Sequence, residues 1–296
     1  MQKNRIESLL ERHGKEVASF EIEEARRFLT LFRELKDRIT ARLFAVDPDR
    51  RIDVFRMRAV MAETEDAIRI LEQKAGVRFG QSMTTAAGLA RDHAVDEIRT
   101  LSRELGAEPL DVSLSAARVL GDPVRGLLAN GFQTSVQRYG LDVLQTVQRE
   151  MFFGLRLGEN YKQVARRLTA PKGALEGRVQ SDAIRLVRTE TSQAYNVANA
   201  GAQAEAKKEL PDLKKVWWKS SSYKCDICQP LHGTERETDG TWTVFEGTKH
   251  ERKVLVPPGH PNCACRSIAS RPRWKSAMAK AGLLSESGDV DLEAVG

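Results

Sequence analysis

Long stretches of helically spaced apolar residues, followed by short β-leaning runs, predict a mainly α-helical chain of the α+β class with a small β element near its C-terminus. Three observations carry this prediction. Apolar residues recur every three or four positions through most of residues 15–210. After Pro211 that spacing gives way to short runs containing Val, Trp and Thr, separated by turns such as His232-Gly233 and Asp239-Gly240. All four cysteines of the chain fall in this last part, at positions 225, 228, 263 and 265.

The first helix is expected over about 15–45, where Val17, Phe20, Ala25, Phe28, Phe32, Leu35, Ile39 and Leu43 share one face. Asp47-Pro48-Asp49 breaks it. A second helix, about Ile52 to Ala75, presents Phe55, Val60, Ala67 and Leu71 before Gly76. A third, Phe79 to Leu105, repeats the pattern with Met83, Ala87, Ala90, Ala94, Ile98 and Leu101, and Gly106 and Pro109 close it. Residues 1–108 therefore read as an antiparallel helical bundle or arm. After Asp122-Pro123 another helix carries Leu127, Leu128, Phe132, Val136, Tyr139, Val143, Leu144, Val147 and Met151, although Gly126, Gly131 and Gly140 weaken it. Gly158 is placed to end it, and Asn160 with Gln163 forms a capping box for a short helix from Tyr161 to Leu168, stopped near Pro171. The helix expected over about Ser181 to Leu210 is unusually polar: Arg188, Glu190, Asn196 and Asn199 are suited to specific contacts. Strands are expected at Lys215–Lys219, Thr241–Phe245 and Lys253–Val256, and residues 285–296 read as a loosely ordered tail.

At 296 residues the chain is long enough for one large or two modest domains. Its 41% hydrophobic and 30% charged residues suit a soluble protein, no apolar run reaches the roughly 20 residues of a membrane span, and no secretory-type segment opens the chain, so synthesis in the cytoplasm is expected. The net charge of +6 is concentrated late, in Lys214, Lys215, Lys219, Lys224, Lys249, Arg252, Lys253, Arg266, Arg271, Arg273 and Lys275. Such a surface suits an acidic partner or nucleic acid, or is simply solvated.

Cys225 and Cys228 form a Cys-x-x-Cys knuckle whose sulfurs can point at one ion, and His260, Cys263 and Cys265 follow in the run His-Pro-Asn-Cys-Ala-Cys. Thiolates and imidazole suit zinc, and in a reducing compartment these residues are better read as ligands than as disulfides. Five candidates compete for about four positions: Cys225, Cys228, Cys263 and Cys265, or a set in which His260 replaces Cys263 or Cys265. Pro257-Pro258 and Pro261 stiffen the approach. An ion closed off by protein ligands is structural and has no position for an activated water. The chain has no His-x-Glu of a zinc deaminase, no His-Glu-x-x-His and no phosphate-binding Gly-x-x-x-x-Gly-Lys loop. Arg188 and Glu190, two apart on a helix, point to different faces. His232 reads as a turn residue rather than a spare ligand, and His250 as a solvated loop residue. No catalytic residue is expected.

Read in order, these residues resemble the phage Mu F-like head-morphogenesis family, the minor head (minor capsid) proteins of tailed bacteriophages. The resemblance runs from about 120 to 270. It takes in Gly154-Leu155-Arg156-Leu157-Gly158-Glu159-Asn160-Tyr161 leading to Val164 and Leu168, then Arg188-Thr189-Glu190 with Asn196, Asn199 and Gly201. It closes on Trp218, the Cys225/Cys228 knuckle, Asp226, Leu231 and Gly233, and Pro257-Pro258-x-His260-Pro261-x-Cys263-x-Cys265-Arg266. Ala264 departs from the arginine usual within that last run. The resemblance implies a domain over 109–284, made of helices at 120–210 and a β/zinc module at 214–270. It also implies a non-enzymatic virion protein near the portal vertex, acting in head assembly and DNA packaging or delivery. Its expected partners are the portal protein, capsid components and packaged double-stranded DNA, with no membrane. The rival expectations are a zinc-stabilised DNA-binding module and, further off, an enzyme with a cleft between helical and β parts.

Overall fold

The structure, a computed structural model, describes residues 2–45, 47, 49–104, 120–170, 173–219 and 225–280. The expectations for Pro48, Leu105, Gly106, Pro109, Pro171, Lys224 and the tail from Ser285 lie outside the described residues. In chain order the elements are α1 (Gln2–Ala45), α2 (Val54–Glu104), α3 (Asp122–Leu157), α4 (Tyr161–Thr169) and α5 (Glu176–Ala206), then β1 (Lys214–Trp218), β2 (Glu235–Glu237), β3 (Trp242–Val244), β4 (Arg252–Val254) and β5 (Arg266–Ser270), a single 3₁₀ turn at Pro272–Trp274, and α6 (Lys275–Lys280). The mainly α-helical fold with a small sheet near the C-terminus is as expected.

The expected break at Gly76 does not occur. The second and third predicted helices are one, and α2 runs through Gly76 and Gly80. A glycine inside a helix costs about 1 kcal/mol relative to alanine. Ala75 and Phe79, on either side of Gly76, are buried, and the Phe79 ring stacks on Phe132 at 4.0 Å. Burying an aromatic side chain stabilises by about 2 kcal/mol, enough to carry the helix through. Likewise α3 is unbroken at Gly126, Gly131 and Gly140. At Gly140 the reason is packing: a Cβ there would lie 2.6 Å from Ile68 Cγ2 of α2, so only glycine allows this approach.

Compact packing divides the chain into two units, each drawn from separated stretches: residues 1–21, 83–125 and 189–296 in the first, 22–82 and 126–188 in the second. The second unit is helical. Its core joins Phe28, Phe32, Phe79, Phe132 and Tyr139, with Phe28 edge-on to Phe132 at 5.5 Å and Phe32 tilted on Tyr139 at 4.6 Å. Gly158, at φ +67°, ends α3, and Asn160 caps α4. Its side chain accepts from Gln163 N–H at 2.9 Å while the Gln163 side chain accepts from Asn160 N–H at 2.9 Å, the capping box the sequence predicts.

The first unit holds the sheet. β1 is its middle strand, antiparallel to β2 on one side and β5 on the other, with Val216 opposite Glu235 and Ile268. β3 and β4 form a separate antiparallel hairpin. Alternation along β1 sends Val216 and Trp218 to one face, into an apolar core with Ile6, Leu10, Ile98, Leu101, Leu210, Ile268 and Met278. Trp217 goes to the other face.

Sequence reading did not foresee β2 or β5. β5 is buried at every position, and its first residue, Arg266, is buried beneath Trp218 with its guanidinium 4.6 Å from the ring centroid. Arg266 donates to Glu97 Oε1 at 2.9 Å and to the Leu10 carbonyl. Burial pushes the Glu97 carboxyl up, but Arg266 and the neighbouring His13 together hold it below its ordinary value. His13 and His93 stack behind this pair at 3.9 Å, and His93 meets Tyr195 at 2.9 Å and Glu16 at 2.7 Å.

Candidate metal centre

All five predicted ligands come together. Cys225 and Cys228 sit on a tight turn in which Gln229 N–H donates to the Cys225 carbonyl at 3.0 Å, and Leu231 and His232 N–H groups reach the Cys228 carbonyl at 3.2 Å. The second cluster arrives on the loop before β5. There the Pro257-Pro258 peptide is cis, Asn262 takes a left-handed φ of 59°, and Cys263 N–H donates to the His260 carbonyl at 3.1 Å. Gly259 is wedged in this loop: an added Cβ would meet Val244 at 3.2 Å and Trp217 at 3.3 Å.

A polar stripe on α5 fixes the loop's far end. The Asn196 side chain donates to the Cys265 carbonyl at 3.2 Å and accepts from Ser267 N–H at 3.2 Å, and Asn199 donates to the Ser267 carbonyl at 2.6 Å. Thr189 Oγ1 accepts from Asn262 N–H at 3.2 Å. The two asparagines satisfy backbone groups along the outer edge of β5 and just before it, an edge that no strand covers among the described residues. The polarity of this helix was visible in the sequence; its target, a sheet edge beside the cysteines, was not.

The sulfurs gather around Trp217 and Trp242, whose rings meet edge-on at 5.3 Å. Cys228, Cys263 and Cys265 are buried, His260 is 8% exposed, and Cys225 is half-buried. Cys225 Sγ lies 3.0 Å and Cys228 Sγ 3.2 Å from His260 Nε2, and Cys228 and Cys263 sulfurs are 3.6 Å apart. Tetrahedral zinc, with bonds of about 2.3 Å to sulfur and about 2.1 Å to nitrogen, sets its ligand atoms about 3.5–3.8 Å apart. The Cys228–Cys263 pair stands at that spacing, and the two sulfur–nitrogen contacts are closer than it. Two triads, Cys225/Cys228/His260 and Cys228/Cys263/Cys265, each have their ligand atoms within 4.8 Å of one another and could hold a metal ion.

Electrostatics agree with the donor chemistry. Hydrogen bonds from Cys228 and Cys265 hold the Cys263 thiol far below the usual range, while the same sharing pushes Cys228 far above it. Thiols this close cannot all ionise by themselves; a divalent cation would let them do so together. The hydrogen bond to Cys263 raises His260 to about 9 against the opposing effect of burial.

His232 stands apart, its Nδ1 accepting from Lys219 N–H at 3.1 Å, and His250 is exposed on the β3–β4 hairpin. Of the adjacent tryptophans of β1, the one packed on the cysteines is Trp217. Trp218, the one named in the sequence pattern, faces the opposite core, 3.7 Å from the position a Cβ would take at Gly14. Among the described residues no helix is long and apolar enough to cross a membrane.

No curated protein and no solved structure matches the chain. One protein family does, over residues 145–268, a span that begins late in α3, includes all five ligand candidates and ends in β5. Over that span, which is less than half of the chain, it is similar to the family described as Phage Mu protein F like protein.

Proposed function

We propose that this protein is a structural minor head protein of a tailed bacteriophage or prophage. In this reading it sits in the virion at the portal vertex and acts in head assembly and in DNA packaging or delivery, without enzymatic turnover. The observation that carries the proposal is the family match over 145–268, which coincides with the helix–sheet–cysteine part of the molecule. The portal protein and capsid components are its proposed partners, and residues 109–284 its head-morphogenesis domain. The cysteine–histidine cluster is proposed to hold one structural zinc, drawn from Cys225, Cys228, His260, Cys263 and Cys265. When bound, the ion supplies no reaction: it ties the knuckle after β1 to the loop before β5. The test is reconstitution. Mixed with purified portal and capsid components, the protein is expected in stoichiometric amounts at one vertex; heads that form normally without taking it up overturn the proposal.

A DNA-contacting role has one favourable observation: Lys249, Arg252 and Lys253 are exposed together on the β3–β4 hairpin. The earlier part of the basic stretch serves it less well. Lys215 is fully buried, lowered to about 8 by burial, and donates to the Leu255 carbonyl at 2.8 Å; Lys214 pairs with Glu237 at 3.2 Å. Charge reversal at Lys249 and Lys253 should then abolish salt-dependent DNA binding. Absence of any DNA affinity at low salt removes this reading.

A further inference from the structure

The geometry points to an interaction surface at the end of the helical unit where α1 gives way to α2. There Phe55, Phe153 and Leu157, interleaved with Arg58 and Arg156, form a docking face for an acidic, amphipathic helix of a partner protein. The inference rests on neither the family match nor the metal reading.

Three helix ends meet there. Ile52 N–H donates to the Glu159 carbonyl at 3.0 Å and Arg51 forms a bridge with Asn160, so the connection between α1 and α2 lies against the one between α3 and α4. Gly154 admits this contact, because an added Cβ would stand 2.7 Å from Ile52 Cδ1. The last turn of α1, the first turn of α2 and the last turn of α3 therefore share one end of the unit.

Apolar side chains at that end are left uncovered. Helical spacing groups Phe55 with Val60, Ala67 and Leu71; those three are buried, whereas Phe55 is 83% exposed. Leu157 is 58% and Phe153 51% exposed, and Phe44 and Val54 are exposed at the same end. At about 200 Å² for a fully exposed large side chain, these five leave roughly 500 Å² open. That is in the range of the largest apolar patches on monomers, which often serve binding.

Charge selects the occupant. Arg58 stands three positions after Phe55 and four after Val54, and Arg156 stands three after Phe153, so each cation shares a helix face with an exposed apolar side chain. Arg58 and Arg156, with Arg50 and Arg166 nearby in the fold, are exposed and make no ion pair among the described residues. The neighbouring acids are mostly answered already: Glu63 by Arg42 at 2.8 Å, Asp53 by Arg56 at 3.8 Å, and Glu150 and Glu159 by Arg167. Carboxylates flanking the apolar stripe of a helix complement this face. A second copy docked symmetrically would set arginine on arginine. Duplex DNA would satisfy the arginines but leave the phenylalanines uncovered. An anionic bilayer would press on Asp47 and Asp49, exposed on the α1–α2 connection, which a helix about 10 Å wide can pass beside.

The test uses the full chain. A displayed library of random peptides of about 15 residues, a length at which helices begin to hold in water, is panned against it, with the Phe55→Ser/Arg58→Glu variant as counter-selection. Enriched peptides should carry apolar residues at three- and four-residue spacing flanked by Asp or Glu. The best of them, synthesised, should bind the full chain more weakly as salt rises. Phe55→Ser, Leu157→Ser and Arg156→Glu should each weaken that binding about tenfold. All three side chains are exposed, so the melting temperature should not move. Enriched peptides that are neutral or basic, or none enriched over the variant, overturn the proposal. So does a dimer, or binding to a DNA duplex or to phosphatidylglycerol vesicles, that is lost in the same variants while no acidic peptide binds. If one variant unfolds, the other two decide.

Discussion

The two faces of β1 are held by different means. Val216 and Trp218 look into a broad apolar core fed by α1, α2, the end of α5, β5 and α6, backed by the buried Glu97–Arg266 pair. Trp217 looks into a much smaller cluster, Cys228, Trp242, Val244, Cys263 and Cys265, built from turns and three-residue strands. One face buries enough apolar surface to hold itself. On the other, short connections have little to bury, and sulfur takes the place of hydrocarbon. A side chain's neighbour in sequence can therefore belong to a differently stabilised structure.

Removal of the proposed zinc should separate the two faces most widely. Apparent zinc-binding energies of structural sites reach about 10 kcal/mol or more, so chelation or Cys228→Ser with Cys263→Ser should melt the sulfur face. Hydrogen exchange would then report lost protection in β3 and β4 and over 225–263, with protection kept in α1 and α2. Uniform loss would show that the faces are not independent. On the apolar face, Glu97→Ala leaves Arg266 buried without its carboxylate and should cost about 3–5 kcal/mol by urea unfolding. Asn199→Ala, which strips the donor from the Ser267 carbonyl at the sheet edge, should cost about 1–3 kcal/mol by the same measurement. The smallest effect is one of pH. Burial, with His13 beside it, lowers His93 below 6.5, so the unfolded chain binds its proton more readily. The stability this contributes is present above about pH 6.5 and is lost as the pH falls toward the folded value, at up to about 1.4 kcal/mol per unit. His93→Gln should flatten that slope in thermal melts taken between pH 7 and 5.

Local patterns were legible and distant pairings were not. The capping box at Asn160 and Gln163 and the Gly158 stop both act within a few residues, and both stand as the sequence indicates. Gly76 misled because a local preference of about 1 kcal/mol is overruled by the burial of Phe79 against a ring 53 positions on. β5 escaped notice because Arg-Ser-Ile-Ala-Ser does not read as a buried strand. Its polar groups are satisfied from afar, Arg266 by Glu97 at a separation of 169 residues and Ser270 by Glu235 at 35. At the cysteine–histidine cluster the candidate residues stand out by type and spacing, but which of Trp217 and Trp218 lies against them depends on strand parity, which the sequence leaves free.

The apolar core beneath Trp218 joins Ile6 to Met278, residues near opposite ends of the sequence. During translation the second unit, whose last residue is Arg188, is fully synthesised first. The remaining residues take on the order of 5–20 seconds more at ordinary elongation rates. Through that interval Ile6, Leu10, Ile98 and Leu101 are made but have no sheet to cover them. The opening turns of α1 must wait for the last strand, which makes the nascent chain, rather than the finished protein, the form most exposed to aggregation or to capture by a chaperone.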